Sequence, residues 1–553
     1  MKKNSFVVGT LVTYIALLLT KILGAVYVIP FYKIIGETGG ILYGYAYNVY
    51  NLFLTISTSG IPVAVSIIIA EYNALRMFKE RDYTYKIANR LIATISFTVF
   101  LIMFIFAGSI AKFFIGDIDS SITIESIKLA IRSVSLCLLI VPFLSVVRGY
   151  LQGNRFISPS SISQLVEQVV RIVVALVGSY VIINVLHLDI SIGVAVALLG
   201  AFFGALVAFG FLKWKIWKNK EQFEKPEVDE PLKVSAKEVI KKIVKHAVPI
   251  IIIAVTQNIY EIVDLKCILK GLTLIGYDAE KTQLLGSVII TWSPKICMII
   301  NSLAIGLCSS IIPFVVNSYV NKDNNGLNNK FNQAINTIIF ITIPLAAFMI
   351  AFGKEIYYIF YGESQYGGNV LGLLSIVSIF FSVQMVMNMM LQGMKKYRIV
   401  YLNSIVGIVV NALLDIPMIL LLNKLNFYPY LGSLMATIIG QTVSITIIVM
   451  SLNKEFSFDY KPIATTIFKT LLATLVMTLL LFLLKMYVPF AEGYFMILCQ
   501  LALFGAICFG LYLLVAYKQK TVFEVFGENF FEKILSKFRK KDQSKKIKDW
   551  VRI

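Results

Sequence analysis

Between Val147 and Arg171 the chain reads VRGYLQGNRFISPSSISQLVEQVVR, a short polar turn between two apolar runs. Inside the second run lie Gln164, Glu167, Gln168 and Arg171, spaced three and four apart, so on a helix they share one face. An acid and a guanidinium one turn apart are costly in hydrocarbon and persist there facing protein or water. Glu167 and Arg171 could neutralise each other as an i,i+4 pair, and such a pair must still face something polar. Later, Gln257, Asn258, Glu261, Asp264 and Lys266 crowd one apolar run, with Gln257, Glu261 and Asp264 on one stripe. Lys295 follows Pro294, whose missing N–H frees a backbone carbonyl. Lys21 sits about 24 Å along the first run at helical rise, too deep for a simple flank. Arg132 and Arg148 lie near opposite ends of the fourth run, and Asp415 precedes Pro417.

Several fixed cations in one polar chamber suit an anionic cargo, because a pyrophosphate accepts charge-assisted hydrogen bonds from ammonium and guanidinium groups. The cations expected to bind are Lys21, Arg148, Arg171, Lys266 and Lys295. Glu167, Glu261 and Asp264 are expected as counter-charges or as ligands of a coupling ion, Na+ or H+, with the membrane potential as a further drive. No nucleophile–base arrangement, phosphate-cradling glycine loop or metal spacing appears, so no catalytic, cofactor or metal residue is expected. The six cysteines lie in apolar runs without paired spacing and read as packing residues. His187 and His246 lie near run ends and cannot build a metal site on their own.

These residues must be positioned by membrane helices. The chain of 553 residues is 58% hydrophobic and 15% charged, with mean hydropathy +0.80, where a soluble chain carries about 25% charge. The first apolar run starts at Phe6 and is too long for a signal-peptide core. Apolar runs long enough to span about 30 Å of hydrocarbon recur throughout, and fourteen are expected between residues 5 and 516. Most of the 51 Lys and Arg fall in the terminal segments and the even-numbered loops, which places both termini in the cytoplasm. The net charge of +20 then faces the inner leaflet and favours anionic lipid over nucleic acid.

The expected fold is an all-α integral membrane protein with two six-helix lobes in parallel pseudo-repeat plus two C-terminal helices. Residues 1–217 form the N-terminal lobe, 218–243 a cytoplasmic linker, 244–452 the C-terminal lobe and 453–516 the two added spans. Residues 517–553 form a basic tail whose Phe530, Phe531, Ile534, Leu535 and Phe538 make one apolar face suited to the membrane surface. The duplication is visible in sequence. Leu151-Gln152-Gly153 recurs as Leu391-Gln392-Gly393, and in that frame Val166, Val169 and Val170 fall on Val406, Val409 and Val410, and Arg171 on Asn411. Parallel repeats place a site between the halves near the middle of the bilayer.

Thr20-Lys21 through Pro30, Gly36, the tract LYGYAYNVYNLFLTISTSGIPVAVS with Glu71, and VRGYLQG…SPSSISQLVEQVVR resemble the stage V sporulation protein B group. That group belongs to the MOP (MATE-like) superfamily together with the MurJ lipid II flippases. The resemblance implies two lobes around a central cavity, a lipid-tail groove at the last two helices, and an undecaprenyl-pyrophosphate-linked cell-wall precursor as cargo. Two positions depart from the family pattern: Val28 and Ile67 stand where it often has basic residues. The implied function is a flippase of the bacterial cytoplasmic membrane that turns such a precursor outward by alternating access. Its partners would be the lipid-linked oligosaccharide, membrane lipids and cell-wall synthesis proteins. Three alternatives stay open: an exporter of teichoic or capsular repeat units, a cation-coupled multidrug antiporter with an acid-dominated cavity, and a non-transporting sporulation or wall-synthesis scaffold.

Overall fold

The computed structural model describes residue 16, residues 19–20, 22–24, 26–115, 122–223, 232, 234–490 and 493–526, and every regular element among them is helical. Lipid offers no partner to a backbone N–H or C=O, so a chain this apolar satisfies both within helices. Twelve stretches among the described residues are long and apolar enough to cross a membrane. The first, Ile22–Ala74, has 53 residues and takes in the end of the first expected run and all of the second. It contains α1 (Val28–Thr58) and α2 (Ile61–Ala74). Within α1 the helix is interrupted at Gly36, whose φ of 65° lies in the left-handed region that glycine enters without a Cβ penalty. The expected seventh run lies in a helix that the twelve do not include, Ala236–Leu274.

The chain forms two compact units. The first holds residues 1–296, 360–362 and 408–436. After α2 come α3 (Phe78–Ile105), α4 (Ala107–Ile115), α5 (Ile124–Ser135), α6 (Val141–Gly153), α7 (Ile157–Tyr180) and α8 (Ile190–Lys218). Then follow α9 (Ala236–Leu274), α10 (Ala279–Ser287) and a π-turn at Val288–Trp292. The start of α11 (Ser293–Val320) and the second half of α15 (Tyr397–Lys424) also belong to this unit. The N-terminus of α9 carries a capping box, Ser235 with Glu238, which satisfies two otherwise orphaned N–H groups.

The tightest seam of this unit joins α7 to α8. A Cβ at Gly200 would lie 2.7 Å from the Arg171 carbonyl oxygen, and one at Gly204 would lie 2.5 Å from that of Glu167. The pair Gly200 and Gly204 therefore lets the two backbones touch along the turn that carries Glu167 and Arg171.

The second unit holds residues 297–359, 363–407 and 437–553. Its helices beyond α11 are α12 (Asn324–Ala351), α13 (Gly353–Tyr361), α14 (Gly367–Gly393), the first half of α15, α16 (Gly432–Phe456), α17 (Lys461–Tyr487), α18 (Tyr494–Lys518) and α19 (Thr521–Phe526). The Tyr512 hydroxyl donates to the Phe340 carbonyl at 2.7 Å, tying α18 to α12. Lys485 on α17 reaches Glu355 at 3.2 Å.

The duplication is written into the helix ends. Arg76 and Lys322 adopt φ of 58° and 56°, and Arg155 and Lys395 adopt 64° and 59°. Each closes a C-terminal cap in which the next residue bonds back to a carbonyl five residues earlier. Met77 bonds to Tyr72 at 2.9 Å, Asp323 to Ser318 at 2.9 Å, Phe156 to Leu151 at 2.8 Å and Lys396 to Leu391 at 2.8 Å. A third pair, His187 and Asn426, has φ of 50° and 53°; a π-turn over Val181–Val185 adds a residue to the first of these caps. Asparagine enters the left-handed region readily, and basic side chains at helix C-termini complement the helix dipole.

Candidate functional site

Tyr43, Tyr47 and Tyr50 are spaced four and three apart on α1 and share a face. Tyr43 and Tyr47 stack with centroids 5.5 Å apart. Against them lies Trp292, fully buried, delivered by the π-turn at the base of α11. It reaches α1 because that helix has glycines facing it: a Cβ at Gly40 would lie 3.0 Å from the indole, and one at Gly44 only 2.5 Å from Thr291 Oγ1. Trp292 stacks on Tyr43 at 6.0 Å and meets Tyr32 edge-on at 4.9 Å. Its carbonyl accepts a 2.9 Å hydrogen bond from the Tyr361 hydroxyl.

Lys295 projects into this frame. Its Nζ lies 4.1 Å from the Trp292 ring centre, 4.7 Å from that of Tyr43 and 5.8 Å from that of Tyr47. The Nζ itself is buried and has no hydrogen-bond partner among the described residues. Arg171, held by the glycine seam of α7 and α8, places its guanidinium 5.4 Å from the centre of Tyr47. The two cations thus meet on one ring. Among the described residues no carboxylate pairs with either. Aromatic faces attract a desolvated cation by about 2 kcal/mol without cancelling its charge, so the frame remains a net positive site that can accept an anion.

The i,i+4 neutralisation of Arg171 by Glu167 does not occur. Glu167 Oε2 instead accepts from Arg148 Nη2 at 2.7 Å, while Arg148 Nε donates to Ser163 Oγ at 2.8 Å. Side chains on a helix lean toward its N-terminus, so Glu167 inclines toward Ser163. There the guanidinium arriving from α6 grips both residues at once, which an arginine on the same helix cannot do. Arg148 is thereby committed to an ion pair and Arg171 is left to the rings.

The remaining expected residues are dispersed. Lys266 is exposed and sits 3.5 Å above the Phe113 ring. Glu261 is also exposed. Lys21 and the Gln257 side chain lie outside the described residues. Asn258 donates to Thr55 Oγ1 at 3.0 Å, joining α9 to α1.

Asp264 is buried in a second cluster with Asn411 and Asp415. The Asn411 amide donates to Asp264 Oδ1 and, at 3.4 Å, to Asp415 Oδ2. Among the described residues, Asn411 Oδ1 and Asp415 Oδ1 are buried without hydrogen-bond partners. Two carboxylates bridged by one amide, with further oxygens unsatisfied, have the chemistry of a proton or hard-cation site. Sequence reading passed over Asn411 as a site residue, although the repeat sets it on Arg171, and it missed Trp292 and the tyrosine face. The spacing of Tyr43, Tyr47 and Tyr50 was the available signal.

The model of the polysaccharide biosynthesis protein family matches residues 6–275, and the MatE model matches residues 249–416. The lipid II flippase MurJ of Bacillus subtilis (strain 168) is 30% identical over 462 residues, covering 82% of this chain and 83% of the relative. Stage V sporulation protein B of the same organism is 29% identical over 217 residues, covering 38% of this chain and 39% of that one. Among solved structures, a lipid II flippase MurJ in an inward closed conformation superposes with a TM-score of 0.64 at 15% identity, covering 92% of this chain and 99% of the other. The chain is a multi-pass membrane transporter and belongs to the MurJ family, within the superfamily that also holds the MATE proteins.

Proposed function

We propose that the protein carries a polyprenyl-pyrophosphate-linked glycan precursor of the cell wall from the inner to the outer leaflet by alternating access. The observation that supports this reading most is the convergence of Arg171 and Lys295 on Tyr47 with no carboxylate paired to either among the described residues. Such a site suits a phosphorylated head group and repels cationic drugs. Lys21 and Lys266 would add to the cation set along the path of the head group. The cluster of Asp264, Asn411 and Asp415 would hold a coupling cation, with Glu261 nearby on the same helix.

We read the whole chain as fourteen spans: two six-helix lobes, residues 1–217 and 244–452, and an added pair, 453–516, with both termini in the cytoplasm. In proteoliposomes, labelled lipid-linked precursor should reach the opposite leaflet with the wild-type protein. Substituting Arg171→Ala together with Lys295→Ala should reduce this to the protein-free rate while thermal unfolding shows an intact fold. Full transport by the double variant would remove the proposed site. Equal transport of teichoic or capsular repeat units would move the cargo assignment to that class.

A further inference from the structure

The way Lys295 is held carries information beyond its charge. Two other cations of the first unit are paired with carboxylates: Arg148 with Glu167 at 2.7 Å, and Lys242 with Glu71 at 2.6 Å. Lys295 and Arg171 have rings in the places where those cations have carboxylates. A carboxylate would turn the site into a neutral pair, and an arriving phosphate would have to displace it. A ring stabilises the desolvated ammonium through its quadrupole and contributes no net charge, so an incoming anion has no carboxylate to displace.

We propose that Tyr47, with Tyr43 and Trp292 behind it, is a specificity-determining residue that sets the site for head groups bearing two adjacent phosphates. The inference rests on the anionic-cargo reading above and deepens it. The centre of the Tyr47 ring lies 5.4 Å from the Arg171 guanidinium and 5.8 Å from Lys295 Nζ, so each cation beside it can take one phosphate of a pyrophosphate diester. A monophosphate satisfies one cation and leaves the other without an anionic partner. The face of the ring supplies this function, and its hydroxyl has no part in it.

The test uses the purified full-length protein in detergent and measures binding of farnesyl pyrophosphate and farnesyl phosphate, with thermal unfolding as a folding control. The wild type should prefer the pyrophosphate by at least about tenfold, as two charge-assisted contacts exceed one. Tyr47→Phe should keep that preference. Tyr47→Leu should bring the two affinities within about threefold while monophosphate binding persists, because one cation still suffices for it. Tyr47→Glu should abolish the preference by neutralising the cations. A Tyr47→Leu protein that keeps the full preference, or a Tyr47→Phe protein that loses it, overturns the role of the ring while leaving the anionic-cargo reading in place. A folded wild type that binds neither lipid overturns both.

Discussion

Deleting the acid of the half-buried ion pair separates the contact seen in the structure from the one suggested by spacing. Arg148 and Glu167 meet at 2.7 Å with their side chains 15% and 20% exposed, so most of their attraction is unscreened. At an effective dielectric constant of 20, charges about 4 Å apart attract by about 4 kcal/mol. Desolvation of both groups offsets about half of this, leaving a coupling of about 2 kcal/mol. In a double-mutant cycle built from Arg148→Ala and Glu167→Ala, denaturant unfolding of the purified protein should return that coupling. The parallel cycle with Arg171→Ala and Glu167→Ala should return less than about 0.5 kcal/mol. Binding of pyrophosphate lipids should fall with Arg171→Ala and change little with Glu167→Gln. A large coupling between Glu167 and Arg171, or a rise in anion affinity when Glu167 is neutralised, would refute the assignment of Glu167 to Arg148.

Other outcomes follow from the same contacts. Gly204→Val places a branched side chain where even a Cβ would lie 2.5 Å from the Glu167 carbonyl. It should cost about 1–3 kcal/mol of stability and weaken anion binding by shifting Arg171, as read by thermal unfolding and lipid titration. Lys266→Ala should reduce transport far less than Lys295→Ala, since Lys266 is exposed above Phe113, and paired flipping assays compare the two. Asp415→Asn should remove any stabilisation of the protein by added Na+ or any proton dependence of transport, with anion binding retained. Thermal unfolding across a Na+ series and transport across a pH series check this.

Much of the architecture could be read from sequence because the membrane imposes it. Apolar length decides which runs can span, and the recurrence of Leu-Gln-Gly with its flanking valines marks the repeat that Arg155 and Lys395 confirm in their backbone. Polar residues within apolar runs pointed to Arg171, Lys295 and Asp264 for the same reason. The partners of these residues were hidden because they come from other helices. An i,i+4 rule sees Glu167 beside Arg171 and cannot see α6 delivering Arg148. Trp292 reaches Tyr43 only through a π-turn opposite Gly40 and Gly44, a change of helical register that periodicity does not report. Asn411, which the repeat sets on Arg171, carries no site signal by itself, because a lone asparagine in an apolar run is unremarkable until Asp264 is found against it.

The most direct test is native mass spectrometry of the protein extracted from a bacterial membrane, wild type beside Arg171→Ala with Lys295→Ala. The expected result is a polyprenyl-pyrophosphate-linked glycan retained by the wild type and absent from the folded double variant. Retention of the same lipid by both proteins, or a wild type that carries only cationic or uncharged molecules, would contradict a cargo held by those two cations.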